Sequence, residues 1–199
     1  MKKMFLVASL VSSSIIATSA MADVTASATA SWDATATKDT TSLLTVTPLS
    51  SLTFEYAEAL NTFNAQDSGF DVSITGQDTA TDFSLAAKII SNTLIKGSGE
   101  DASTLGVGVA WNGTALNKTT DTVLVSTAKT AGLENLVANG AYNGTSRVSD
   151  KSTFKFTIES ATGPDKDPVD EFAALPDGYW SGDVKVQFTA TWNTPSPDA

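Results

Sequence analysis

The chain is poor in the residue types that carry covalent chemistry. It has no histidine and no cysteine, so the commonest general base, the commonest metal ligand and the thiolate nucleophile are all missing. Serines and threonines are plentiful, but there is no Gly-x-Ser-x-Gly elbow and no hydroxyl has an evident activating partner. Asp165, Asp167, Asp170 and Glu171 form an acidic cluster without the glycine and ligand spacing of a calcium loop. Pro164 and Pro168 constrain its backbone, and the stretch from Gly163 to Asp170 reads as a solvated surface loop. Three Asn-x-Thr triplets, at Asn112, Asn117 and Asn143, match the glycosylation pattern. Because Asn-Gly is also the preferred two-residue hairpin turn, they are read as turns. Trp111, Tyr142, Tyr179 and Trp180 could form a sugar platform, although core or rim packing is the commoner fate of aromatic side chains. No catalytic residue, metal site or cofactor is expected.

What remains is main-chain hydrogen bonding. From Val24 to Thr37 apolar and polar residues alternate without a miss: Val24, Ala26, Ala28, Ala30, Trp32, Ala34 and Ala36 against Thr25, Ser27, Thr29, Ser31, Asp33, Thr35 and Thr37. A period of two means a strand with one dry face and one wet face. The dry face is mostly alanine, which has poor strand propensity and too little apolar surface to hold a free hairpin together. Two destinations fit: an edge strand of the chain's own domain, or a strand donated to another molecule, where ladder bonds and side-chain pockets supply the binding. At about 3.4 Å per residue, positions 24–37 reach roughly 48 Å, the length of a sandwich domain.

This strand follows an expected secretory signal. Lys2 and Lys3 form a basic start, Phe5 to Ile16 is apolar but interrupted by serines, and Ala20-Met21-Ala22 fits the small-x-small cleavage rule. Removing 22 residues from 199 leaves 177, enough for one sandwich core and too few for two comfortable domains. Without Lys2 and Lys3, 10 basic side chains face 22 acidic ones, a net charge of −12. That charge disfavours nucleic acid and anionic lipid as partners. An exported chain without cysteine must be held by packing or by a partner rather than by a disulfide.

The remainder alternates in short runs: Leu44 and Val46; Leu52, Phe54 and Tyr56; Phe70, Val72 and Ile74; Phe83 to Ile89; Leu105 to Trp111; Val123 and Val125; Phe154, Phe156 and Ile158; and Val184, Val186, Phe188, Ala190 and Trp192. Polar turns such as Gly76-Gln77-Asp78, Asn112-Gly113 and Pro176-Asp177-Gly178 separate them. Many short strands mean an all-β sandwich or barrel. Only Tyr56 to Phe63 and Leu133 to Ala138 could make a helical turn or two. Ala30-Ser31-Trp32-Asp33 is echoed by Ala190-Thr191-Trp192-Asn193, through either related strand geometry or compositional bias.

Five stretches together carry a resemblance: Asp23 to Trp32 (DVTASATASW), Lys38 to Pro48 (KDTTSLLTVTP), Leu52 to Ala57 (LTFEYA), Thr104 to Val109 (TLGVGV) and Leu175 to Trp192 (LPDGYWSGDVKVQFTATW). In these long strings, in this order, the chain resembles the fimbrillins of the common pilus, or Mat fimbria, which are chaperone-usher pilus subunits. The match weakens at Thr127 to Ser152 and at Ala161 to Asp170. The resemblance implies an immunoglobulin-like β-sandwich lacking one strand, completed by a donor strand from a neighbouring subunit. It divides the chain into a signal at 1–22, a donor at 23–37, a sandwich at 38–194 and a tail at 195–199. Val24, Ala26, Ala28, Ala30 and Trp32 become the inserted residues, with Trp32 alternatively packing at the subunit junction. The strand from Asp183 to Trp192 becomes a groove wall, with Val184, Val186 and Phe188 facing inward. The implied partners are further copies of the chain, a periplasmic chaperone, an outer-membrane usher, a tip adhesin and a host-cell receptor. The implied role is adhesion and biofilm formation at the cell surface, without catalysis. The competing expectation is a monomeric secreted sandwich that binds carbohydrate through Trp111, Tyr179 or Trp180.

Overall fold

Period-two patterning becomes strand wherever a neighbouring strand can take up the backbone hydrogen bonds. A computed structural model of the chain describes residues 38–39, 41–97, 102–130 and 132–195, the side chain of Asn139 excepted. The expected signal and the whole expected donor strand, including Val24, Ala26, Ala28, Ala30 and Trp32, lie outside the described residues. The described residues form eleven strands: β1 (Leu44–Pro48), β2 (Tyr56–Ala57), β3 (Thr62–Phe63), β4 (Gln66–Thr75), β5 (Asp82–Ser91), β6 (Thr93–Lys96), β7 (Ser103–Trp111), β8 (Thr114–Ala115), β9 (Thr122–Ser126), β10 (Arg147–Thr162) and β11 (Lys185–Asn193). One sheet runs β1-β4-β10-β7-β6, with β8 on β7, and the other runs β11-β5-β9. Every pairing is antiparallel. The architecture is all-β, as the alternation demands.

The two sheets share one core. Phe70, Val72 and Ile74 of β4, Leu105, Val107 and Val109 of β7, and Phe154, Phe156 and Ile158 of β10 meet Phe83, Leu85, Ala87 and Ile89 of β5. Each large apolar side chain taken fully from water contributes about 1.5–3 kcal/mol. Leu133 and Leu136, on a connection that makes 3-10 turns at Glu134–Leu136 and Ala138–Asn143, are fully buried in the same cluster. The β7–β8 hairpin forms where expected: Asn112 at φ 45° and Gly113 at φ 79° put both central residues in the left-handed region. That conformation matches the right-handed twist of the flanking strands.

Four details depart from the sequence pattern. Leu52 and Phe54 alternate but make no strand; only Tyr56–Ala57 pairs, with Thr62–Phe63, and a 3-10 turn at Glu58–Leu60 joins the two. Their alternation records side-chain burial, with no neighbouring strand to form a ladder. Thr93–Lys96 pairs with β7 although it was not among the alternating runs. Opposite the shift between Leu85 and Ala86, β9 carries an extra residue, so adjacent Leu124 and Val125 are both buried while Val123 is 38% exposed. In β10 a second bulge turns both Glu159 and Ser160 outward between buried Ile158 and Ala161. There they lie across Gly108 and Gly106, where a Cβ would collide with the Glu159 carboxyl group and the Ser160 hydroxyl. Bulges of this kind reset the inside–outside phase of a strand by one residue.

Leu124→Ala in the full-length subunit is therefore expected to cost about 2–5 kcal/mol, whereas Val123→Ala should cost less than about 1 kcal/mol. Urea unfolding of both variants measures this, and equal costs would contradict the bulge.

Candidate functional site

β1 and β11 are edge strands, one in each sheet, and among the described residues each pairs with a strand on one side only. Between them opens a cleft of about 850 Å³. Val46 and Pro48 stand on the β1 side, Val184, Val186 and Phe188 on the β11 side, and Phe70, Phe154, Phe156 and Leu105 reach it from the core. The floor is a packed set of rings. Phe70 stacks on Phe154 with centroids 4.6 Å apart, and Phe188 sits 5.2 Å from Phe70 and 5.8 Å from Phe154.

The β11 side of the cleft is under-covered. Along β5 every second residue from Phe83 to Ile89 is buried, but β11 alternates only half-buried with exposed residues along its length. Its apolar face is packed from the β5 side and open on the other. Backbone N–H and C=O groups along an edge need partners, and an apolar trough needs covering. A strand laid in the cleft would meet both requirements.

One end of the cleft has an aromatic wall built by the short β2–β3 pair, the 3-10 turn Phe172–Ala174 and a strap without strand structure. Phe63 meets Tyr56, Phe172 and Trp180 edge-on at 5.4, 5.5 and 6.2 Å. Trp180 is held on a strap, residues 175–183. Its indole Nε1–H donates to Ser103 Oγ at 2.9 Å, and Ile95 and Ser181 exchange backbone hydrogen bonds of 2.9 and 3.0 Å. Lys96 Nζ lies 5.8 Å from the Trp180 ring centroid and donates to the Asp177 carbonyl at 2.5 Å. These contacts make the wall part of the folded body.

The structure places Val184, Val186 and Phe188 together along the cleft, with Val184 immediately before β11. It also brings in Phe63, Phe172 and Trp180, which the alternation did not point to because their segments lack a period. The expected sugar platform is not assembled. Trp111 is 2% exposed, packed edge-on to Phe154 at 5.8 Å. Tyr142 stacks on Phe83 at 6.2 Å, and Trp180 is committed to Ser103. Of the four aromatics only Tyr179 stands out in solvent, 82% exposed. An inward-facing position on β7 claimed Trp111, the 3-10 connection Ala138–Asn143 holds Tyr142 and the strap holds Trp180, because burial of a large aromatic outweighs its display. Asp165, Asp167, Asp170 and Glu171 all lie on the surface, around a turn closed by Gly163 and Asp167.

Two sheets around one core, open along a seam between edge strands, define an immunoglobulin-like β-sandwich of the pilin class. The family model described as Fimbrillin MatB matches residues 25–192, and the chain belongs to that family. It is 48% identical over 195 residues to the common pilus major fimbrillin subunit EcpA of Escherichia coli O139:H28, covering 97% of this chain and 99% of that protein. The EcpA of Klebsiella pneumoniae subsp. pneumoniae (strain MGH 78578) is likewise 48% identical over 195 residues, with 97% and 99% covered. Among solved structures, the CooA pilin subunit from enterotoxigenic Escherichia coli aligns with a TM-score of 0.42 and 16% identity over 75% of this chain and 90% of that one. The chain is thus a structural subunit that polymerises into a cell-surface pilus, and not an enzyme.

At the start of the described body, Asp39 closes a turn. Its carboxylate accepts hydrogen bonds from Ser42 Oγ at 2.5 Å and from the backbone N–H groups of Ser42 and Thr41 at 3.0 and 2.9 Å. The Ser42 hydroxyl first, then these amides, hold its pKa well below the usual carboxylate range. Glu134 is lowered in the same way by the Gly132 N–H, at 2.7 Å. A lowered folded-state pKa gives stability that is complete above the ordinary value near pH 4 and is lost as acid protonates the group. Asp39→Ala should lower the thermal midpoint at neutral pH by a few degrees, with the gap to the parent narrowing below about pH 4. A gap that stays constant through the acid range would exclude the charge as its source.

Proposed function

We propose that the cleft between β1 and β11 accepts residues 23–37 of a neighbouring copy, so that the subunits join head to tail by donor-strand complementation. The observation that carries this reading is the pair of edge strands flanking an apolar cleft, with the inward face of β11 nowhere fully buried. Val24, Ala26, Ala28, Ala30 and Trp32 would face the floor, and Val184, Val186 and Phe188 would receive them. Small side chains suit a floor already filled by Phe70, Phe154 and Phe188, while the backbone of the inserted strand would supply the missing ladder partners. A contact between two different surfaces of the same molecule does not close on itself and propagates as a filament.

In this reading residues 1–22 direct export and are removed. A periplasmic chaperone occupies the cleft first, and an outer-membrane usher exchanges it for the donor strand. The resulting shaft resembles the common pilus of the 48% identical relatives. It carries a tip adhesin and serves adhesion to host-cell receptors and biofilm formation.

Surface material run unboiled in detergent should give a ladder of high-mass species that collapses to monomer on boiling. Deleting residues 23–37 should abolish the ladder and leave a subunit that still co-purifies with its chaperone; Phe188→Asp should abolish both. A single monomer band without heating, or a deletion variant that still polymerises, would sink the proposal.

A further inference from the structure

We propose that Trp32 of one copy seats in the aromatic end of its neighbour's cleft, among Phe63, Phe172 and Trp180, and thereby sets the register of the inserted strand. This rests on the strand-insertion reading above and adds to it a defined position and direction. Of the face Val24, Ala26, Ala28, Ala30 and Trp32, only the last carries a large side chain. Successive face residues stand about 6.8 Å apart, so each must find its own place along the cleft.

The cleft is not uniform along its length. Near Phe188 the floor is taken up by Phe70, Phe154 and Phe188, with centroids 4.6 to 5.8 Å apart. An alanine methyl can lie on such a floor, whereas an indole would have to displace a ring. Beyond Phe188, the next inward residues of β11, Ala190 and Trp192, do not line the cleft, and Trp192 packs 5.3 Å from Phe83. Toward Val184 the lining passes to Leu52, Phe54, Phe63, Phe172 and Trp180. There an indole would meet edge-on rings, the geometry that aromatic groups favour. Ser51 and Thr53 line the same cleft and offer oxygen acceptors for an indole N–H.

The direction follows from the position. With Trp32 beside Val184, the preceding Ala30, Ala28, Ala26 and Val24 run past Val186, Phe188, Ala190 and Trp192, which makes the inserted strand antiparallel to β11. Ala30 and Ala28 then pass Val186 and Phe188 at the same spacing, small opposite large over the ring floor, while Ala26 and Val24 run on alongside Ala190 and Trp192, beyond the lined cleft. Seating Trp32 at the opposite end would bring it against Trp192, where no cleft is lined.

The chain has no cysteine, so a pair introduced by mutation reports a single proximity. In full-length chain assembled into filaments, Asp33→Cys combined with Ala173→Cys, a residue exposed at the cleft lining, should give a boil-resistant ladder with a short bis-maleimide. Thr25→Cys combined with Ala173→Cys should not. Trp32→Ala should lower the temperature at which the ladder collapses, and Ala28→Trp should reduce filament yield at least tenfold. Cross-linking at 25 but not at 33, or at neither position in filaments whose heat-labile ladder is intact, overturns this register and leaves strand insertion standing. Absence of any heat-labile ladder from the unmodified chain overturns strand insertion, and the register with it.

Discussion

A strand must have both its edge and its face satisfied, and in this fold one seam leaves both unmet. Backbone amides along a free edge need partners, and an apolar face needs cover; among the described residues β1 and β11 are each served from one side only. In most sandwiches the last strand closes that gap within the chain. Behind that seam the core is well packed, with Val72, Ile74, Phe83, Leu85 and Val107 wholly removed from water.

The rest of the structure is arranged around that seam. Phe70, Phe154, Phe156 and Phe188 make a floor of interlocked rings, which resists collapse into the gap in a way that smaller aliphatic residues would not. The strap carrying Trp180, tied to β6 by backbone hydrogen bonds and to Ser103 by its indole, gives the cleft a fixed end. The chain has no cysteine, so no disulfide braces the open seam, and donor-strand insertion, as proposed, would fill it from a neighbouring copy.

The legible part of the site was its periodic part. Val184, Val186 and Phe188 could be assigned to an inward face because period-two burial is written directly into a strand. Phe63, Phe172 and Trp180 could not, since a residue in a two-residue strand, a 3-10 turn or a strap is brought to the cleft by long-range contacts that leave no local pattern. Trp111 shows the converse. As an aromatic residue beside a turn it could have been displayed, yet its phase on β7 buries it. Leu124 beside Val125 and Glu159 beside Ser160 were hidden for a third reason: a bulge changes phase, and nothing in the run itself marks the extra residue.

By itself the sequence determined the all-β class, most strand positions, the Asn112-Gly113 hairpin and the absence of histidine and cysteine, because each depends on local periodicity, turn preference or residue inventory. Only the tertiary structure decided that β1 and β11 both become edges, that a cleft opens between them rather than a closed barrel forming, and which aromatics end up lining it. The physical reason is that pairing partners and cavity walls come from residues far apart in the chain, such as Val46, Phe70, Phe154 and Phe188. The alternating run at Val24 to Thr37 stands between the two: its pattern predicts a strand, and the proposal that it enters a neighbour's cleft rests on tertiary structure, because the cleft is made by residues far apart in the chain.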